Sequence, residues 1–339
     1  MAKTHQFPNT PLPVKIAGLG CYLPERVVSS AQLETELEIP TGWIEQVTGV
    51  RERRYASGET SVSMAAAAAR RALAMAGVEL DEVDAFVGAS TGPQQAIPCT
   101  AAFLQRELGA PDGGSACFDI NATCLSFVVA LQNVAHLVAV GVYRTALIFS
   151  SEIASISRNL NERESAVLFG DSAAAAVIQR AGPGEASAIW HTRFATFSSG
   201  ADLTSMQGGG TLHHPNDPLT TREMNTFHMD GPQVFKKATR LVGPFVDSFL
   251  AETGWEHSAI DLVVPHQASL HGVEWVARRM GFAPERVFSN LAERGNCVSV
   301  SIPLALTEAL EQGRVKRGDR LLLVGSGAGL TLGAMALTF

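Results

Sequence analysis

Cys124, His266 and Asn296 carry the side chains that acyl transfer requires, and each stands where a regular element begins or ends. Cys124 follows the apolar run SACFDI and opens a helical stretch. A helix N-terminus carries about half a positive charge, which favours a thiolate, and its free N–H groups can hold an oxyanion. The same position also suits an inert buried cysteine. His266 ends the run LVVP in VPHQASL. Strand ends are where α/β sheets bind ligands, yet taken alone this residue reads first as a satisfied core histidine. Asn296, in RGNCVSVS, precedes a helix, where an asparagine ordinarily caps or turns the chain. The three together say more than any one. A sulfur nucleophile, an imidazole and an amide donor suit acyl transfer onto cysteine followed by stabilisation of a thioester enolate.

The elements that must position these residues come in the same order twice. In the first half an apolar run (14–24) leads to a helix (61–77) that starts on Ser and ends on Gly, as helix boundaries prefer. A strand (84–90), a helix (99–109), a strand (115–120), a helix (124–141), and the strands ALIFSSE and 173–179 follow. The second half reads as a helix (233–254), a strand (261–266), a helix (269–281), a strand (287–290), a helix (298–313), the strand RLLLVGSG and a closing strand (331–339). Helices alternating with short β-branched runs imply an α/β fold with mainly parallel or mixed sheets. The repeated order implies a duplication, with halves at 1–182 and 183–339. The helix at 124–141 is apolar nearly all round, which predicts burial at the centre. Its counterpart starts at Asn296 and Cys297, so the two starts are expected near one central point. The segment 198–230, with its GGG, HHP and NDP, reads as a long loop between the halves that could line a site.

Composition narrows the function. The net charge of −7 argues against a nucleic-acid partner. No apolar stretch approaches the roughly 20 residues of a membrane span. The opening MAKTHQFPNTPLPVK lacks the apolar core of a signal peptide and reads as a polar tail. Five cysteines without a C-x-x-C pair argue against a disulfide framework or a zinc knuckle, so no metal is expected and the chain reads as cytoplasmic.

From about Val14 to Phe339 the chain resembles the β-ketoacyl-ACP synthase III family. The resemblance rests on GWIEQVTGVRERR, FDINATC, LFGDSAAAAV, MDGPQVFKKA, VPHQA, ERGN and the closing GSGAG-x-T-x-G, in that order. It implies the thiolase fold, two duplicated α/β halves in five αβαβα layers, as a homodimer. It further implies that Cys124 takes an acyl group from acyl-CoA, with no other cofactor. Malonyl-ACP, or malonyl-CoA, then loses carbon dioxide while His266 and Asn296 hold the enolate oxygen. The N–H groups of Cys124 and Ala328 are the implied oxyanion hole. Trp43 and Arg163 match the pair that sandwiches the CoA adenine, against alternatives of core packing and a solvated charge. Lys236, Arg278 and Arg279 match the patch that docks the acyl carrier protein, against ordinary solvated helix faces. Ile97 matches the cap of the acyl pocket, against plain core.

The chain departs from the family pattern at several positions. Val47 and His271 replace arginines that hold CoA phosphates and dock the carrier. Leu125 and Ser126 stand where Ala-Gly is usual, and Ser326 where a Phe is usual. A reshaped acyl pocket at Ile97, Leu125 and Ser326 is therefore expected, in a specialised paralogue. Head-to-head condensation of two acyl-CoAs uses a Glu base where this chain has Ile97. A degradative thiolase needs a second cysteine that GSGAG lacks. An acyltransferase without decarboxylation would not need both His266 and Asn296, and a non-catalytic partner subunit would generally lack Cys124.

Overall fold

Val14–Tyr22 pairs antiparallel with Ser172–Arg180, which pairs antiparallel with Thr145–Glu152. Ala85–Gly88 then adds in parallel, and Ala116–Asp119 in parallel at the edge. In chain order this five-stranded sheet runs first, fifth, fourth, second, third. A second sheet repeats it. Ala188–Thr196 pairs antiparallel with Thr331–Thr338, that strand antiparallel with Arg320–Gly327, and that one parallel with Leu262–Pro265. Val287 makes a single parallel bridge to Val263 in the third strand's place. The same order and the same senses recur, which is the duplication expected from the sequence. These relations come from a computed structural model that describes residues 10–339; the first nine residues of the polar opening lie outside it.

Strand side chains alternate faces, and here both faces are apolar. Ala146 and Ile148 face a central core, whereas Leu147 and Phe149 face outward onto helices Ser61–Ala76 and Thr100–Leu108. In the second sheet Leu321 and Leu323 face the centre, and Leu322 and Val324 face helix Gly231–Thr253. The centre holds helices Ser126–Ala139 and Ser301–Glu311, whose Leu131, Val134, Ile302 and Leu306 are buried between the sheets. The result is helix, sheet, helix pair, sheet, helix: a thiolase-like α/β fold in five layers. Burying each such Leu or Val contributes about 1.5–3 kcal/mol.

The run of alanines in Ser61–Ala76 has a packing reason. A Cβ on Gly20 would sit 2.3 Å from the Ala68 carbonyl oxygen, so the helix lies directly on strand Val14–Tyr22. The helix is capped as its sequence predicts. Thr60 accepts the Ser63 N–H, and Gly77 closes the end in a left-handed conformation.

The structure corrects the sequence reading in detail. Ala188–Thr196 is a nine-residue strand that went unread, since His191, Thr192 and Arg193 blur its alternation. The strand read at 287–290 reduces to the bridge at Val287. The helix read from 124 begins at Ser126, after a 3-10 turn Thr123–Leu125, and its counterpart begins at Ser301, after Val298–Val300. The long 198–230 segment is mostly irregular. It is pinned by a two-residue pairing of Thr204–Ser205 with His228–Met229 and by His228 Nδ1 at 2.6 Å from Glu162 Oε1.

Candidate active site

Cys124 lies in the middle of the 3-10 turn Thr123–Leu125, partly buried. Thr123 adopts φ 53°, unusual for a β-branched residue, and Val298 repeats it with φ 52°. The backbone equivalence therefore pairs Thr123 with Val298 and Cys124 with Ser299, three residues beyond Asn296. Ser126 holds the Cys124 turn shut. Its hydroxyl accepts the Ala122 N–H at 2.9 Å and donates to the Thr123 carbonyl at 2.7 Å.

The strand Arg320–Gly327 brings His266 to this turn. The His266 N–H donates to the Val324 carbonyl at 2.8 Å. A Cβ on Gly325 would sit 2.7 Å from His266 Cβ and 3.3 Å from Leu125 Cδ2. Two positions on, a Cβ on Gly327 would sit 2.7 Å from Thr123 Oγ1 and 3.6 Å from the Cys124 nitrogen. Only glycines let this strand end slide between His266 and the cysteine turn. Asn296 is gripped from the first half of the chain. Its N–H donates to the Leu168 carbonyl at 2.8 Å, and its carbonyl accepts the Gly170 N–H at 3.1 Å. Its side-chain oxygen accepts the Val298 N–H at 2.9 Å, and its Nδ2 reaches the Ala268 carbonyl, two residues past His266, at 3.5 Å.

The charges follow from burial. Burial pushes the Cys124 thiol up to about 12, and the Glu152 carboxylate adds to the rise. The N–H groups of Cys124 and Ala328 act in the opposite sense, donating toward the sulfur. Burial alone pulls His266 down to about 4, so the ring is neutral at physiological pH. His266 Nδ1 is buried without a hydrogen-bond partner among the described residues. An orphaned lone pair costs less than an orphaned N–H, so the proton belongs on Nε2. That tautomer makes His266 a donor.

The other expected site residues are dispersed. Trp43 packs at the edge of a cluster containing Ala166 and Val167, and Arg163 is exposed at the start of helix Arg163–Ala166. Ser326 is partly buried, paired across the strand with Leu332. Leu125 is fully buried in the central core against Gly325 and Gly333, beside the same strand end that meets His266. Ile97 is 82% exposed rather than core. Lys236 is exposed, Arg278 pairs with Glu274 at 3.4 Å, and Arg279 lies over Gly243 and pairs with Asp247 at 3.0 Å. Arg279 thus bridges two helices. The sequence reading missed Glu152. Its signal was a carboxylate ending the otherwise apolar and small-residue strand TALIFSSE, beside the point where both central helices start.

Two repeated mixed sheets around a pair of central helices place the protein in the thiolase-like class. Among family descriptions, that of 3-oxoacyl-[acyl-carrier-protein] synthase III matches residues 118–197, and that of the C-terminal part of the same enzyme matches 250–339. The β-ketoacyl-[acyl-carrier-protein] synthase III of Symbiobacterium thermophilum is 39% identical over 96% of this chain and 98% of its own. The crystal structure of 3-oxoacyl-[acyl-carrier-protein] synthase III from Aquifex aeolicus superposes with a TM-score of 0.87 at 34% identity, covering 96% of this chain and all 100% of that one. The priming β-ketosynthase of the R1128 polyketide pathway superposes with a TM-score of 0.88 at 30% identity, over 96% of each chain. The chain belongs to the β-ketoacyl-ACP synthase III family of condensing enzymes, which are acyltransferases. No helix among the described residues is long and apolar enough to cross a membrane.

Proposed function

We propose that Cys124, His266 and Asn296 carry out a decarboxylative condensation in two stages. In the first, the Cys124 sulfur attacks the carbonyl of an acyl-CoA. The thiol proton ends on the departing CoA sulfur, and a thioester is left on Cys124. In the second, a malonyl thioester on ACP or CoA loses carbon dioxide, and its electron pair passes into the thioester as an enolate. His266 Nε2–H and the Asn296 amide donate to the enolate oxygen. The enolate carbon attacks the acyl-Cys124 carbonyl, whose oxyanion sits between the N–H groups of Cys124 and Ala328. Collapse releases the 3-oxoacyl thioester and returns the sulfur, which regains a proton. The observation that carries this reading is the glycine-bearing strand end, where a Cβ on Gly325 would sit 2.7 Å from His266 Cβ and one on Gly327 3.6 Å from the Cys124 nitrogen. Oxyanion donors of the kind assigned to Cys124 and Ala328 are each worth about a hundred- to a thousandfold in rate.

In this reading Trp43 and Arg163 hold the CoA adenine, and Lys236, Arg278 and Arg279 receive an acidic carrier protein. Ile97 caps the acyl pocket, with Leu125 and Ser326 on its wall, in a protein that works as a homodimer; the exposed apolar side chain of Ile97 supports a face that is covered in use. The chain divides into halves at 1–182 and 183–339 and works in the cytoplasm. Val47 and His271, and the likeness to a priming ketosynthase of a polyketide pathway, favour a specialised acyl primer over acetyl. His266→Ala and Asn296→Ala test the division of labour. Both should still load an acyl group onto Cys124 while losing release of carbon dioxide from the malonyl thioester. Loss of loading with retained decarboxylation in either variant would reverse the roles.

A further inference from the structure

Glu152 ends strand Thr145–Glu152 and is 5% exposed. Its Oε1 accepts the Thr91 N–H at 2.6 Å and the Ser299 hydroxyl, and its Oε2 accepts the Gly92 N–H at 3.3 Å. Two of these donors are backbone N–H groups, which cannot turn round to accept a carboxylic proton. The site therefore fits the ionised form, although burial raises the carboxyl above its ordinary range.

Both sides of this carboxylate lead to the nucleophile. On one side, the Thr91 carbonyl accepts the Asn121 Nδ2–H at 3.0 Å, and Asn121 Oδ1 accepts the Thr123 N–H at 2.9 Å. Thr123 is the residue held at positive φ just before Cys124. On the other side, Ser299 occupies in the second half the place that Cys124 has in the first, and the turns Thr123–Leu125 and Val298–Val300 pack on each other. Ile97 lies five residues beyond Gly92 on the same stretch of chain.

We propose that Glu152 is a positioning residue for the condensation: its carboxylate clamps the Thr91 and Gly92 turn to Ser299, fixes the strained Thr123 through Asn121, and sets its negative charge against the pair of packed turns that carries Cys124. The sulfur is thereby kept as thiol or thioester between turnovers. The proposal rests on Cys124 being the acyl carrier, but its test does not.

The test is the rate of Cys124 alkylation by iodoacetamide from neutral to alkaline pH, read by intact mass. Wild type, Glu152→Gln and Glu152→Asp are compared, with Cys124→Ser marking the site, and amide exchange at Thr91 and Gly92 is followed in the same proteins. Glu152→Gln removes the charge and turns an NH2 group toward one of the N–H donors. Its alkylation should rise about tenfold at a given pH, equivalent to a profile about one pH unit lower, and both amides should exchange faster. Glu152→Asp keeps the charge on a shorter arm, so the alkylation profile should stay with wild type while exchange quickens. A folded Glu152→Gln with the wild-type profile overturns the proposal. So does unchanged exchange in Glu152→Asp, which serves if the Gln variant does not fold. Alkylation uses no acyl substrate, so either result stands whether or not acyl-CoA loads Cys124.

Discussion

Gly325→Ala places one methyl group where His266 and the cysteine turn meet. The new Cβ would lie 2.7 Å from His266 Cβ, 3.3 Å from Leu125 Cδ2 and 3.6 Å from Ile302 Cδ1. Carbon atoms in contact sit about 3.5–4.0 Å apart, so the His266 contact must open by about 1 Å. Neither side yields readily. The His266 N–H is bonded to the Val324 carbonyl, and Gly325 is paired with Gly333 inside the second sheet. Leu125 and Ile302 are fully buried behind it. Overpacking of this kind costs about 1–3 kcal/mol of stability. A displacement of about 1 Å in a group that must meet the enolate oxygen costs about a hundredfold in rate. Intact mass gives the loading of Cys124 from acyl-CoA, and carbon dioxide release gives the second half-reaction. The variant should melt several degrees lower, load Cys124 with a much smaller loss, and decarboxylate about a hundredfold more slowly. A Gly325→Ala protein that melts and decarboxylates as wild type would refute the claim that this glycine sets the position of His266.

Further outcomes follow from the same geometry. Burial holds His266 down at about 4 against an ordinary 6.5, so as the pH falls the unfolded chain takes up the proton first. The associated stability is complete above about pH 6.5 and is lost toward pH 4, by at most about 3 kcal/mol. Urea midpoints should therefore drop more steeply from pH 7.5 to pH 5 in wild type than in His266→Gln, and parallel slopes would contradict the neutral buried ring. Ile97→Phe should shift the acyl-CoA preference toward shorter chains in a competition assay, and an unchanged preference would remove Ile97 from the acyl pocket. Lys236→Glu should raise KM for malonyl-ACP, most at low salt where surface charges are least screened, with KM for acyl-CoA unmoved. A uniform rise in both would speak for a distorted fold instead of a docking contact.

Much of the layer order was legible because each layer leaves its own period in the sequence. Strands such as Thr145–Glu152 read as continuous apolar or small-residue runs because both faces are covered, and Ser126–Ala139 reads apolar all round because it lies between two sheets. Ala188–Thr196 escaped because it is an edge strand. Its outer flank meets only the single bridge of Ile189 to Leu12 among the described residues, and polar residues occupy positions that a central strand would bury. Cys124 and Asn296 were legible as junction residues, yet the equivalence of Cys124 with Ser299 was not. It depends on the positive φ at Thr123 and Val298, which no β-branched residue advertises. The direction in which Leu125 leaves its turn was not legible, because residue type alone does not say it. Here it points into the core against Gly325 and Gly333. That Arg279 also pairs with Asp247 and sits over Gly243 was not legible either, since both partners lie on a helix distant in sequence. Glu152 left only the signal of a carboxylate at a strand end, because its meaning lies in donors drawn from residues 91, 92 and 299, far apart in the chain.

The central claim, that Cys124 carries the acyl group, is tested most directly by intact mass after incubation with a series of acyl-CoAs from acetyl to long chain, beside Cys124→Ser. The account predicts a mass gain of one acyl group with at least one chain class in the wild type, and none in the variant. An adduct that persists in Cys124→Ser, or no adduct from any acyl-CoA in a folded wild-type protein, would contradict it.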